Sequence, residues 1–204
     1  MATKAKKTTK APTPVSVLKR LIPLADRHQK ADEYRAGHYW QGNGSGTGCA
    51  VGCTIHDAIK LGVLPQATSH ESHASIAKAT GLPEMVWRLA DNIFEGLPED
   101  DRPAWTPRLL RAAAKCKNLE RVPALIMTRL AERLAADAIR DDVKAVTLVV
   151  AGLWRRRANG DEPDAKEWDA AWQQAYAARQ QADAAWRGFW KWCADVVCKA
   201  LMAA

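Results

Sequence analysis

"LPEMVWRLADNIFEGLP", residues 82–98, decides the fold class. Pro83 suits the first position of a helix, where the missing N–H has no intrahelical partner to lose. Val86, Leu89, Ala90, Ile93, Phe94 and Leu97 then recur at intervals of one, three and four, which lays one apolar stripe along a helix. Gly96 and Pro98 stop it. The segment predicts a short amphipathic helix, and its neighbours on both sides repeat the pattern.

Toward the C-terminus, "PEDDRPAW" reads as a loop, and "TPRLLRAAAK" starts a helix with Thr106 as its cap and Pro107 inside. "PALIMTRLAERLAADAI" aligns Leu125, Ile126, Leu130, Leu134 and Ile139. "DDVKAVTLVVAGLWRRR" aligns Val143, Val146, Val150, Leu153 and Trp154. After the turn "ANGDEP", Asp164 caps a run to Ala204 that holds no proline. Its stripe is Trp168, Trp172, Ala175, Trp186, Phe189, Trp190, Cys193, Val197 and Leu201, predicting one long amphipathic helix or a helix pair over 164–204. Trp192 lies off that stripe and is expected to be exposed or to meet a second copy of the chain.

Toward the N-terminus, Ser72–Thr80 predicts a short helix closed by Gly81, and 49–61 one closed by Gly62. Val17, Leu18, Leu21 and Leu24 start another, kinked at Pro23 and running to Ala36, with Gly37 after its cap. Residues 1–14 lack periodicity and carry lysines and prolines, as a disordered basic arm does. No β alternation stands out beyond residues 37–57. The expectation is an all-α fold: a single helical domain over 15–204, an irregular Gly/Cys-rich loop at 37–56, and the arm.

Composition excludes several classes. No apolar run approaches the ~18 residues of a membrane span, and the basic N-terminus lacks the apolar segment of a secretory signal. A cytoplasmic protein is expected. Five cysteines at irregular spacing argue for reduced thiols over a disulfide framework. The formal charge of +7 sits in the arm: residues 1–20 hold six Lys/Arg and no acid, leaving 24 basic against 23 acidic residues elsewhere. Nucleic acid is therefore a weak expectation, through the arm alone. Arg155–Arg157 sits at a helix C-terminus, where cations complement the macrodipole.

The chemistry concentrates in "GHYWQGNGSGTGCAVGCTIHD", residues 37–57, with six glycines, two cysteines, two histidines and a Tyr-Trp pair. Four readings compete. His38, Cys49, Cys53 and His56 offer four zinc ligands, with His70 and His73 as substitutes. Cys49 or Cys53 at a helix N-terminus could act as a thiolate nucleophile with His56, His70 or His73 as base. That segment is superficially similar to the cysteine segment of papain-like proteases, but lacks the following tryptophan and a distant His/Asn pair. A third reading is a phosphate cradle: amides of Gly46–Cys49 for the anion, Tyr39 and Trp40 for a ring, Gly48, Thr54 and His56 beside them, and His38, His70 and His73 near. It is not a P-loop, since no Lys-Ser/Thr follows. The fourth is a tight hinge with cysteines as small apolar residues.

"HYWQGNGSGTGCAVGCTIH" followed by "HASIAKATGLPEMVWRLADNIFEGLP" resembles a family of small accessory proteins of tailed phages and prophages. The matching motifs are Gly48–Thr54 and Gly81–Pro98, with Trp40 in the aromatic position, within residues 24–110; the Ala/Trp-rich tail is similar in composition only. The basic arm and "DAIKLGVLPQAT" depart from the pattern. The resemblance implies a setting: a phage-encoded factor of host takeover or counter-defence in the bacterial cytoplasm. Three functions follow as expectations. The first is a binding protein for a phosphate-bearing, nucleotide-like ligand at the loop. The second is a Cys- or His-dependent hydrolase of a nucleotide signal, with Cys49, Cys53 or His56 catalytic. The third is an inhibitor of a host protein acting through the aromatic C-terminal helix.

Overall fold

The computed structural model describes residues 12–42, 45–138, 141–179 and 189–204. The fold is all-α. Among the described residues the helices are α1 (Pro14–Lys30), α2 (Ala50–Lys60), α3 (His73–Thr80), α4 (Glu84–Gly96), α5 (Arg102–Lys115), α6 (Val122–Ala136), α7 (Asp141–Ala158), α8 (Ala165–Arg179) and α9 (Phe189–Ala203), with a 3₁₀ turn at Leu119–Arg121 before α6. None of them is long and apolar enough to cross a membrane. The basic arm falls outside the described residues up to Ala11; Thr13 already caps α1, accepting from the Ser16 amide.

α1 packs on α5, α5 on α9, and α9 against α4 and α6, while α2, α3 and α4 close the end of the molecule that carries the glycine loop. The core runs through Leu18 and Leu21 of α1, Ile55 of α2, Ile93 and Phe94 of α4, Leu109 of α5 and Val197 and Leu201 of α9. Burying each of these side chains contributes about 1.5–3 kcal/mol. A second, smaller cluster joins Ala131, Val150, Ala151, Leu153 and Ala171, with Trp154 and Trp168 ring to ring at 4.6 Å.

Several boundaries and faces differ from expectation. α1 ends at Lys30, six residues before Ala36, because Asp32 adopts a left-handed conformation (φ 53°). The Glu33 amide returns to the His28 carbonyl and the Asp32 amide to the Gln29 carbonyl, the Schellman pattern, with Asp where Gly is usual. α5 begins at Arg102, so Thr106 is an interior, buried residue and not a cap. On α4, Trp87 is fully buried and Leu89 only half-buried, because α4 is covered by α2, α3 and α9 on more than one face. Leu134 and Trp172, placed on apolar stripes by their spacing, are exposed (50% and 44%). Trp192 is half-buried against the core, with the Arg133 guanidinium 5.7 Å from its ring. Ile139 and Trp186, and the side chains of Ala175, Phe189 and Trp190, lie outside the described residues.

Other local readings agree with the structure. Asp164 and Glu167 form a reciprocal capping box at α8: the Glu167 amide donates to Asp164 Oδ1 (2.8 Å) and the Asp164 amide to Glu167 Oε2 (3.0 Å). Arg155, Arg156 and Arg157 end α7 and pair with Glu132, with Asp161 and Glu167, and with Glu162. All five cysteines are free and buried.

Candidate functional site

The loop between α1 and α2 is held as two short backbone pairings, Tyr34 with Gly48 and Gln41 with Thr47. The Thr47 amide donates to Gln41 O, the Gly48 amide to Glu33 O and the Cys49 amide to His38 O, at 2.9–3.1 Å. Glycine is needed where the chain crosses itself. A Cβ on Gly48 would stand 1.9 Å from the Tyr39 carbonyl oxygen, and one on Gly52 only 1.4 Å. Of the amides expected to cradle a phosphate, Gly46–Cys49, those of Thr47, Gly48 and Cys49 already have acceptors in the loop's own backbone.

One group of side chains gathers on the inner edge of this loop. Cys49 is the N-cap of α2; its Sγ accepts from the Gly52 amide and donates to Asp91 Oδ1 at 3.1 Å. His73, the first residue of α3, places Nε2 3.2 Å from Asp91 Oδ2, and its Nδ1 lies 3.0 Å from the Glu71 carbonyl. Tyr39 meets the His73 ring edge-on, centroids 5.9 Å apart. Glu95, one turn beyond Asp91 on α4, accepts from the Gly37 amide at 2.9 Å. Burial, and then the Asp91 charge, push the Cys49 thiol far up and the Tyr39 phenol up to about 12. The helix N-terminus does not make Cys49 a thiolate, because desolvation beside a carboxylate outweighs the dipole.

A second group lies on the other side of the loop. The Trp40 indole stacks on His56 at 3.7 Å and 16°, and His70 stands beside the pair, 5.7 Å from His56 and 6.3 Å from Trp40. Burial, then Lys60, lowers the His56 pKa to about 4, and burial lowers that of His70. The Nε2 atoms of both are enclosed without a hydrogen-bond partner.

The tetrad His38, Cys49, Cys53 and His56 does not converge. His38 Nε2 bonds Thr47 Oγ1 (3.1 Å), Cys53 turns into the core with its Sγ on Gly48 O (3.4 Å), and His56 belongs to the indole stack. Cys49 is an extended cap residue (φ −70°, ψ 177°), so its side chain does not follow the shared i, i+4, i+7 face that a helix through 49, 53 and 56 would give. Thr54 is also turned away, bonding the Ala50 carbonyl of its own helix, and Gly46 packs against the Gln41 carbonyl.

Two sets of residues escaped the sequence reading. Asp91 and Glu95 stand four apart inside the segment that decided the fold, where they pass for its solvated face. His28, Glu33 and Asp57 form a buried charge network. His28 Nε2 is 2.9 Å from Asp57 Oδ2, its Nδ1 meets the Glu33 carboxylate, and Arg27 reaches Asp57 Oδ1 at 3.3 Å. Burial lowers the His28 pKa, but Asp57 and then Glu33 outweigh it and the net shift is upward. The readable signal was Asp57 itself, an acid set among Ile55, Ala58 and Ile59.

No family model matches the chain, and neither a curated protein nor a solved structure shows significant similarity to it.

Proposed function

We propose that this chain is a phage-type accessory protein that binds a nucleotide-like ligand through its base on the Trp40–His56–His70 side of the loop. One observation carries the reading. Two imidazoles, neutral at physiological pH, are aligned with an indole, and each keeps a shielded nitrogen without a partner. An unpaired buried nitrogen costs about 1–3 kcal/mol, a cost that a heterocycle offering complementary donors and acceptors removes. His70, on the turn before α3, stands beside the stacked pair, 5.7 Å from His56 and 6.3 Å from Trp40, so a planar ring that displaces it reaches both the imidazole and the indole. Lys60, close enough to depress the His56 pKa, places positive charge near a phosphate.

The other two expectations have less behind them. Thiol catalysis requires a thiolate, and the surroundings of Cys49 and Cys53 hold both thiols protonated. For an inhibitory surface on the terminal helix, Cys193, Val197 and Leu201 are core residues while Trp172 and Met202 are exposed, and the side chains of Trp186, Phe189 and Trp190 lie outside the described residues.

The test is calorimetric titration of the full chain with purine and pyrimidine mononucleotides and cyclic dinucleotides. Binding of one class, lost in His70→Ala and in Trp40→Ala with helical content intact, is the expected result. Absence of binding across the panel, or binding that both variants retain, overturns the reading.

A further inference from the structure

A groove along α5 shares no residue with the base-binding reading and carries a separate inference. We propose that it docks an acidic, amphipathic helix of a partner protein. α5 forms its floor, and α1 and α9, both packed on α5, supply its walls. Its volume is about 440 Å³, within the ordinary range of binding sites. The space is open because the α5 residues facing it, Ala104, Pro107 and Ala112, are too small to fill it.

The rim is cationic. Arg108 reaches Asp195 of α9 at 2.5 Å, and Arg111 reaches Asp26 of α1 at 2.6 Å. Each guanidinium is thus tied to one wall, which spares an incoming ligand part of the entropy of ordering it. Lys115 and Lys199 also line the groove, are exposed, and form no ion pair among the described residues. Four cations against the two acids that tie them leave an excess of two in this one groove. The whole of residues 21–204 carries an excess of only one, 24 basic against 23 acidic residues. Among the described residues no acid lines the groove.

The occupant must match an apolar surface as well. Met202, 66% exposed, stands over the small apolar floor, and a methionine adapts its shape to an apolar partner. Carboxylates answer Lys115 and Lys199, while Leu- or Ile-type side chains cover Met202 and the floor. Nucleic acid fits less well: among the described residues no aromatic ring lines the groove, so bases find no platform to stack on. The chain's own arm, basic over residues 1–20, is repelled. The walls are helices whose backbone groups bond internally, so an extended peptide gains no main-chain partners, whereas a helix satisfies its own. From Ala104 to Lys115 the floor runs about 16 Å at ~1.5 Å per residue, the length of roughly three helical turns.

The test is fluorescence anisotropy of a labelled acidic peptide of about twelve residues, with Leu and Glu at helical spacing, titrated with the full chain. Saturable binding that weakens with added salt is expected. Lys115→Glu combined with Lys199→Glu should weaken it about tenfold or more, as should Met202→Asp. Lys115→Arg with Lys199→Arg should retain it. All three positions are exposed, so helical content should survive in every variant. An oligo-glutamate peptide of equal length should bind more weakly than the Leu/Glu peptide. Absence of binding overturns the proposal, and so does binding unchanged in the Glu pair, which moves it to the basic arm. Equal binding of oligo-glutamate also overturns it, leaving only a patch of charge. So does tighter binding of a single-stranded oligodeoxynucleotide that the Glu pair abolishes, which makes the groove a nucleic-acid site. Nucleotide titration of the Glu pair is expected to match the parent chain, so this groove and the base-binding reading fail separately.

Discussion

His28 Nε2 and Asp57 Oδ2 are 2.9 Å apart with both side chains buried, and this contact ties the last turn of α1 to the middle of α2. Glu33 reaches the other ring nitrogen because the chain reverses at Asp32. The loop that follows is thus aimed by a charge network beneath it.

Removing the ring leaves two carboxylates facing a void. His28→Ala is expected to cost about 3–5 kcal/mol, the range for breaking a buried ion pair. Urea denaturation measures it, and a loss below about 1 kcal/mol would show the network to be energetically idle.

Two histidines give stability a pH dependence with two opposed limbs. The His56 pKa falls from 6.5 to about 4 on folding, so between those values the unfolded chain binds more protons and stability rises with pH. The His28 pKa is raised above 6.5, so its contribution is complete below 6.5 and is lost as pH climbs through the raised value. Trp40, His70, Lys60 and Asp57 surround the first ring; Glu33, Asp57, Tyr34 and Trp40 surround the second. Melting curves across pH should show a maximum near neutrality. His56→Asn should reduce the acid limb, to which His70 also contributes, and His28→Gln the upper limb alone; a profile unchanged by both would refute the assignment.

Two glycines predict opposite signs for the same substitution. Gly152→Ala in α7 meets nothing within 4 Å and should stabilise by about 0.5–1 kcal/mol through helix propensity. Gly52→Ala in α2 enjoys the same propensity but drives a methyl into the Tyr39 carbonyl, and should destabilise by about 2 kcal/mol or more. Equal effects in thermal denaturation would contradict the close crossing.

Thiol labelling separates a buried cysteine from an activated one. Burial raises the pKa of all five thiols. The native chain should therefore react with a disulfide reagent far more slowly than the denatured chain. One fast-reacting native thiol, mapped to Cys49, would restore the nucleophile reading.

The helical class was legible because apolar residues recur at helical spacing in α4 and in α9 from Cys193 to Leu201. Trp87 was missed for the complementary reason: a helix covered on several faces buries residues that a single stripe excludes. The end of α1 was hidden because Asp32 takes a conformation that sequence usually marks with glycine. At the site, Tyr39, Trp40, Cys49, His56, His70 and His73 were all in view as reactive side chains. Their division into two groups was not, since Asp91, which joins Cys49 to His73, arrives from a helix 42 residues along the chain from the cysteine.

The crossing of Tyr39 over Gly48 and Gly52 has a consequence for any genetic screen of this stretch. Selection for a folded chain alone will mark those glycines as indispensable, whatever the loop holds. Their intolerance to change carries no information about a ligand. If the proposed base-binding reading holds, that information resides in the tolerances of Trp40, His56 and His70, and a mutational map should be interpreted there.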